Sequence, residues 1–184
     1  MRISLEFRNY RCFSDESPLT LNLESGFTCL IGPNNSGKST ALRAIYEFRP
    51  VFQKIAPLNE LVGMYGSPGG IATPLQGVAD IEQCFHDGNK RPLSVRLILD
   101  PDDTAPTYQL SGHRVLELLC DRESKRWIVN IDGRNSRGSR TGVGLNENGL
   151  TVGSEGIDLR AFYKAREILE RYRYLEENNR DRSN

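Results

Sequence analysis

The chain has 184 residues, with 24 Lys+Arg against 24 Asp+Glu and 38% apolar side chains. That length points to a single domain, and a formal net charge of +0 excludes a chain that is polybasic or acidic throughout. No apolar run approaches the roughly 18 residues that span a bilayer, and Met1-Arg2-Ile3-Ser4 lacks the apolar stretch of a secretory signal, so a soluble cytoplasmic protein with no membrane partner is expected.

In chain order, Ile3, Leu5 and Phe7 alternate with polar neighbours, as do Leu19, Leu21 and Leu23. This period of two predicts two strands, each with one buried face, separated by the turn residues of 15–18. After Glu24-Ser25-Gly26, the run Phe27-Thr28-Cys29-Leu30-Ile31 is almost continuously apolar and predicts a strand buried on both faces. A helix is expected next, with Leu42, Ile45 and Tyr46 on its apolar stripe and Pro50 as its stop. Pro57, Pro68, Gly69, Gly70 and Pro74 make 50–79 an irregular excursion with one short helix near 58–62.

Ala79, Ile81 and Gln83 predict a strand that enters a hairpin at His86-Asp87-Gly88-Asn89. Val95, Leu97 and Leu99 predict the next strand, and Val115–Cys120 and Trp127–Ile131 a strand pair around the polar 122–126. Seven glycines in 133–156 predict loops or weak hairpins. Asp158 is placed to cap a final helix striped by Leu159, Phe162, Tyr163, Leu169, Tyr172 and Leu175, and 176–184 is a polar tail. Cys12, Cys29, Cys84 and Cys120 show no C-x-x-C pair, so reduced, mostly buried thiols are expected rather than a zinc site.

One motif carries chemistry. Gly32-Pro33-Asn34-Asn35-Ser36-Gly37-Lys38-Ser39-Thr40 matches the phosphate-binding loop G-x-x-x-x-G-K-[ST]. Its glycines give the backbone conformations denied to residues with a Cβ, so that loop N–H groups turn toward phosphate oxygens. The following helix adds the positive end of its dipole. Lys38 would reach the β- and γ-phosphates as a point charge, and the Ser39 hydroxyl would ligate Mg²⁺. Asn34, Asn35, Ser36, Gly37, Lys38, Ser39 and Thr40 are thus the candidate binding residues for Mg-ATP. A random chain of this length matches roughly once in a hundred to two hundred tries, and here the expected strand precedes the motif and the expected helix follows it.

Residues 3–48 resemble the N-terminal segment of ABC-type ATPases of the SMC, RecF and OLD (overcoming-lysogeny) group. Those chains open with a short strand and an N-[FY]-R-x-F element, here Asn9-Tyr10-Arg11-Cys12-Phe13. A second strand and a glycine turn then lead to a loop of the form G-x-N-x-x-G-K-S-[TN]. The resemblance covers about a quarter of the chain. It implies a mixed α/β (α+β) P-loop NTPase fold, with 1–175 as one ABC-type N-terminal lobe and 78–132 as its antiparallel β-subdomain. It also implies ATP and Mg²⁺ as ligands, a second ATPase copy or the C-terminal half of the same head as partner, and DNA in a repair or anti-phage setting. In that group the arginine of the first element lies near the nucleotide, which makes Arg11 a candidate; the residues alone equally allow an exposed pair with Asp15 or Glu16.

Hydrolysis in that group needs two further motifs. One is an apolar strand ending in Asp then Glu, and the other is a signature resembling L-S-G-G-Q. Asp100 ends an apolar run but Pro101 follows it, and Asp132 is followed by Gly133. Leu110-Ser111-Gly112 is signature-like, with His113 in place of the second glycine, and using it with Asp132 requires Val115–Cys120 to be helical. The catalytic residues are therefore unassigned, and a catalytically incomplete lobe is expected. The alternatives are a non-hydrolysing ATP switch or, less favoured, a small P-loop kinase. The basic run Arg122, Lys125, Arg126, Arg134, Arg137 and Arg140 admits a phosphate-backbone contact, with a solvated loop favoured.

Overall fold

The computed structural model of the chain describes residues 2–23, 30–34, 36–55, 57–100, 115–131, 133, 143–146, 149–152 and 155–158. Strands β1 (Arg2–Arg8), β2 (Leu19–Leu23), β3 (Leu93–Asp100), β4 (Val115–Cys120) and β5 (Trp127–Ile131) form one sheet in the order β2-β1-β3-β4-β5. Every neighbouring pair is antiparallel. The alternation seen in the sequence sets the register. Leu21, Leu5, Leu97, Leu116 and Ile131 stand opposite one another across all five strands, and Leu19, Phe7, Val95, Leu118 and Val129 form a second such row. A slip of one residue would exchange these rows for polar ones.

The row between them on the other face is Thr20, Glu6, Arg96, Glu117 and Asn130. There Arg96 pairs with Glu6 at 2.9 Å, and Glu117 accepts from Asn130 at 3.0 Å and from Ser94 at 2.9 Å. Opposite charges meet across strands, which favours this register over its neighbours.

The apolar face is covered by α1 (Lys38–Glu47), α2 (Arg49–Ile55) and α3 (Leu58–Gly66), which add Ala41, Ala44, Val51, Phe52, Leu61, Met64 and Tyr65 to the core. Phe48, between α1 and α2, is the hub: its ring lies 5.2 Å from Phe7, 5.4 Å from Tyr10 and 5.8 Å from Trp127, each edge-on, the geometry aromatic quadrupoles favour.

Several expectations need correction. Pro50 does not simply stop a helix. The first helix ends at Glu47, and Pro50 sits at the second residue of α2, where its missing N–H costs nothing. The stretch 50–79 holds two helices, α2 and α3, and 67–79 is irregular. Ile71 there exchanges backbone hydrogen bonds with Trp127 at 2.9 and 2.8 Å. The strand expected at 79–83 is a 3₁₀ turn at Ile81–Cys84, because the Asp80 carboxylate accepts from the Glu82 N–H at 2.9 Å and caps it. The turn at 86–89 therefore joins no hairpin.

Of the expected strand at 27–31, residues 27–29 lie outside the described set. Leu30 and Ile31 carry no strand, and Ile31 is 90% exposed. The glycine-rich stretch forms a three-stranded antiparallel meander, β6 (Val143–Asn146), β7 (Gly149–Val152) and β8 (Glu155–Asp158). Asp158 ends a strand there and caps no helix; the helix expected from 159 and the tail lie outside the described residues.

Candidate functional site

The phosphate-loop motif ends in a backbone that only glycine takes readily. Gly37 has φ 85° and ψ 5° and stands as the N-cap of α1. A Cβ there would also come within 2.7 Å of the Phe13 ring. The helix start has no side-chain cap and no acidic residue in its first turn, so neither offsets the positive end of its dipole. Lys38 folds back over the loop: its ammonium donates to the Gly32 carbonyl at 2.7 Å, to the Pro33 carbonyl, and to Ser36 Oγ at 3.4 Å. Asn34, Ser36 and Ser39 are exposed and Thr40 is half-buried; Asn35 lies outside the described residues. The buried side of α1 is Ala41, Ala44 and Glu47, with Ile45 packed at its edge, whereas the expected core residue Leu42 is exposed. Residues 41, 44 and 47 recur at helical spacing on one face of α1, and Leu42 lies off that face.

The element Asn9–Phe13 is a wedge between this helix start and residues 80–92. Asn9 has φ 53° and Arg11 φ 51°, a left-handed backbone that non-glycine residues hold only when their surroundings fix it. The fixing groups are visible. The Asn9 side chain donates to the Pro92 carbonyl at 3.0 Å and accepts from Asn89 at 2.9 Å. The Arg11 N–H donates to the Cys84 carbonyl at 2.9 Å, and its own carbonyl lies 2.6 Å from His86 Nδ1. Tyr10 enters the core, and Phe13 reaches Gly37. The two motifs singled out in the sequence are therefore in contact.

Their meeting point includes a residue that sequence reasoning did not single out. Glu47, at the end of α1, is 5% exposed and is ringed by donors: Arg11 NH2 at 2.6 Å, Tyr10 OH at 2.8 Å, Cys84 Sγ at 3.6 Å and Arg43 Nε at 3.9 Å. Burial, and then the Glu47 carboxylate, push the Cys84 thiol up to about 12 and the Tyr10 phenol up as well. Local sequence carried no signal for it, because the stripe read there was Leu42, Ile45 and Tyr46, beside which a carboxylate reads as exposed. Arg11 thus pairs with Glu47 rather than with Asp15 or Glu16; Asp15 is taken by Arg91. Above this cluster opens a cleft of about 500 Å³ lined by Arg11, Ser39, Leu42, Arg43, Gln76 and Gln83, among others.

The remaining candidates fare differently. Asp100 ends β3, whose two neighbours are both antiparallel to it. Val115–Cys120 is the strand β4, which removes the helix that the signature reading at Leu110 required. Leu110, Ser111, Gly112, Asp132, Arg134, Arg137 and Arg140 lie outside the described residues. Of the basic run, Arg122 and Lys125 both bind Glu82, and Arg126 donates to the Gly69 and Gly70 carbonyls. These three are committed to internal contacts. Cys84 and Cys120 are buried, whereas Cys12 is exposed.

A family model described as an AAA ATPase domain matches residues 1–68. The match supports a P-loop ATPase of the AAA/ABC kind. It spans β1, the Asn9–Phe13 wedge, β2, the loop, α1, α2 and α3, and so contains Arg11, Lys38, Ser39, Thr40 and Glu47. No curated protein matches the chain. Among the described residues no helix is long and apolar enough to cross a membrane.

Proposed function

We propose that the chain is the ATP-binding lobe of a DNA-associated ABC-type ATPase of the SMC/RecF/OLD group. One observation carries this most: an uncapped helix start with a left-handed glycine, a lysine folded over its loop and the wedge element packed on that glycine. The donor set suits a polyanion. The Lys38 ammonium lies over the loop at the start of α1, whose first turn holds no acidic residue, and a helix N-terminus favours anions. In this reading Asn34, Asn35, Ser36, Gly37, Lys38, Ser39 and Thr40 hold the phosphates, Arg11 lies beside them in the cleft, and Ser39 is the side-chain ligand of Mg²⁺. The bound metal supplies neutralisation of phosphate charge.

Grip of this kind is not catalysis. Contacts made equally in ground and transition states do not speed the chemical step; water orientation and charge stabilisation as the bond breaks do. No Asp-Glu pair follows an apolar strand in the sequence, so the proposed lobe depends on a partner, either the C-terminal half of the head or a second copy, for turnover. The exposed Ile31 beside the loop, in a segment without strand pairing among the described residues, suits such a partner. The DNA association rests on the family resemblance alone, and the cytoplasmic site on the sequence expectation above. A second reading, a non-hydrolysing ATP-driven switch, draws on the same missing pair, and the antiparallel sheet speaks against a small kinase with a parallel core.

Calorimetric titration tests the binding step. Mg-ATP should bind the 184-residue chain, and Lys38→Ala should weaken it roughly tenfold to a hundredfold, since a charge-assisted contact contributes about 1.5–3 kcal/mol. Equal affinity in the two proteins would refute the assignment. Phosphate release near one per second by the chain alone, abolished in Lys38→Ala, would refute its catalytic incompleteness.

A further inference from the structure

We propose that Glu47 is a positioning residue that aims Arg11 into the cleft beside Ser39, toward a phosphate-bearing ligand held at Lys38, Ser39 and Thr40. The inference rests on the nucleotide reading above and assigns a role that reading does not contain.

The guanidinium of Arg11 is oriented on each of its nitrogens. Nε donates to Tyr10 OH at 3.2 Å, NH1 to the Gln83 carbonyl at 3.4 Å, and NH2 to Glu47 at 2.6 Å with Cys84 Sγ at 3.7 Å behind it. NH1 makes that single bond among the described residues, through one of its two N–H groups. The side chain keeps 22% exposure, and it shares the lining of the cleft with Ser39. A cation held in one direction is worth more to an anion than the same charge on a mobile stem, because its rotamer freedom is already lost.

Glu47 is the part of the arrangement that stability does not explain. A buried ion pair contributes little net stability, since desolvation offsets the attraction, and an apolar residue at 47 would extend the stripe of Ala44 and Phe48. The Glu47 carboxylate holds Arg11, while the Glu47 backbone carbonyl, which any side chain at 47 would leave in place, accepts from the Gln76 N–H at 2.8 Å. Arg43, 3.9 Å from the same Oε1 atom, stands by to keep the carboxylate paired when Arg11 also engages a ligand.

The test separates direction from charge. Mg-ATP is titrated by calorimetry into the full chain and into Arg11→Ala, Arg11→Lys, Glu47→Gln and the Arg11→Ala/Glu47→Gln double variant, with thermal melts to establish the folded fraction. Arg11→Lys should bind about tenfold more weakly than wild type, close to Arg11→Ala, because it keeps the charge and loses the fork. Glu47→Gln should weaken binding by a similar factor, and the double variant should be no worse than Arg11→Ala alone, since Glu47 acts through Arg11. Near-wild-type affinity in Arg11→Lys, or additive losses in the double variant, would overturn the proposal. Arg11→Lys, at a side chain that reaches the cleft surface, decides the matter even where Glu47→Gln does not fold. Binding that Lys38→Ala abolishes, together with wild-type affinity in the Arg11→Lys and Glu47→Gln variants, would overturn this inference alone; no binding by wild type would overturn the nucleotide reading and this inference with it.

Discussion

At the scale of single residues, the two sequence motifs meet at Gly37. The glycine is required twice, by a φ of 85° and by the Phe13 ring 2.7 Å from where a Cβ would stand. Gly37→Ala should therefore destabilise the fold by about 1–3 kcal/mol, combining left-handed strain with a ring that must move, and it should weaken Mg-ATP binding at the helix start. Urea unfolding of the variant checks the first effect; a loss under about 0.5 kcal/mol would mean that the loop relaxes freely. The motif residues were legible one by one, because glycine, lysine and hydroxyl types at fixed spacing carry their chemistry with them. Glu47 was not, because a carboxylate in a short amphipathic helix reads as an exposed residue until its partners, Tyr10 and Arg11 from one segment and Cys84 from another, are brought beside it.

At the scale of elements, α1 and α2 are joined through Phe48, whose ring touches Phe7, Tyr10 and Trp127. Phe48→Ala removes the shared partner of three aromatic rings, two from the N-terminal segment and one from β5, and should cost about 3–5 kcal/mol in urea unfolding; a cost below about 1 kcal/mol would show that the helices are not docked through it. Strands β1, β2 and β3 were legible through alternation of apolar and polar residues, and β4 and β5 as two apolar runs around the polar 122–126. The pairing of β1 with β3 was not, since residues 7 and 95 become neighbours only through long-range register. The Pro50 stop and the strand expected on Ala79, Ile81 and Gln83, which left the cap at Asp80 unread, fail for one shared reason. Each residue type both ends and begins elements, and local sequence does not say which side of it the helix lies on.

At the scale of the molecule, the layer of helices on an antiparallel sheet leaves a definite mark on pH dependence. Burial pushes the Cys84 and Cys120 thiols from 9.0 up to about 12. A thiol whose folded value lies above its unfolded one contributes stability that is fully present below about pH 9 and is lost as pH rises toward about 12. Each titrating thiol contributes a slope of about 1.4 kcal/mol per pH unit in that window. Urea midpoints from pH 8 to 11 should fall more steeply for wild type than for a Cys84→Ala/Cys120→Ala protein; parallel slopes would place both thiols in water.

The larger claim is that this fold exists to present one helix start to a polyphosphate. The most direct measurement follows the backbone amide resonances of the full chain during titration with Mg-ATP, beside the same titration of Lys38→Ala. The predicted result is saturable shifts at Gly37, Lys38, Ser39 and Thr40, quiet signals from Val95, Leu118 and Val129 in the sheet, and loss of the shifts in the variant. Unmoved amides at 37–40 under saturating Mg-ATP, or identical shifts in Lys38→Ala, would contradict it.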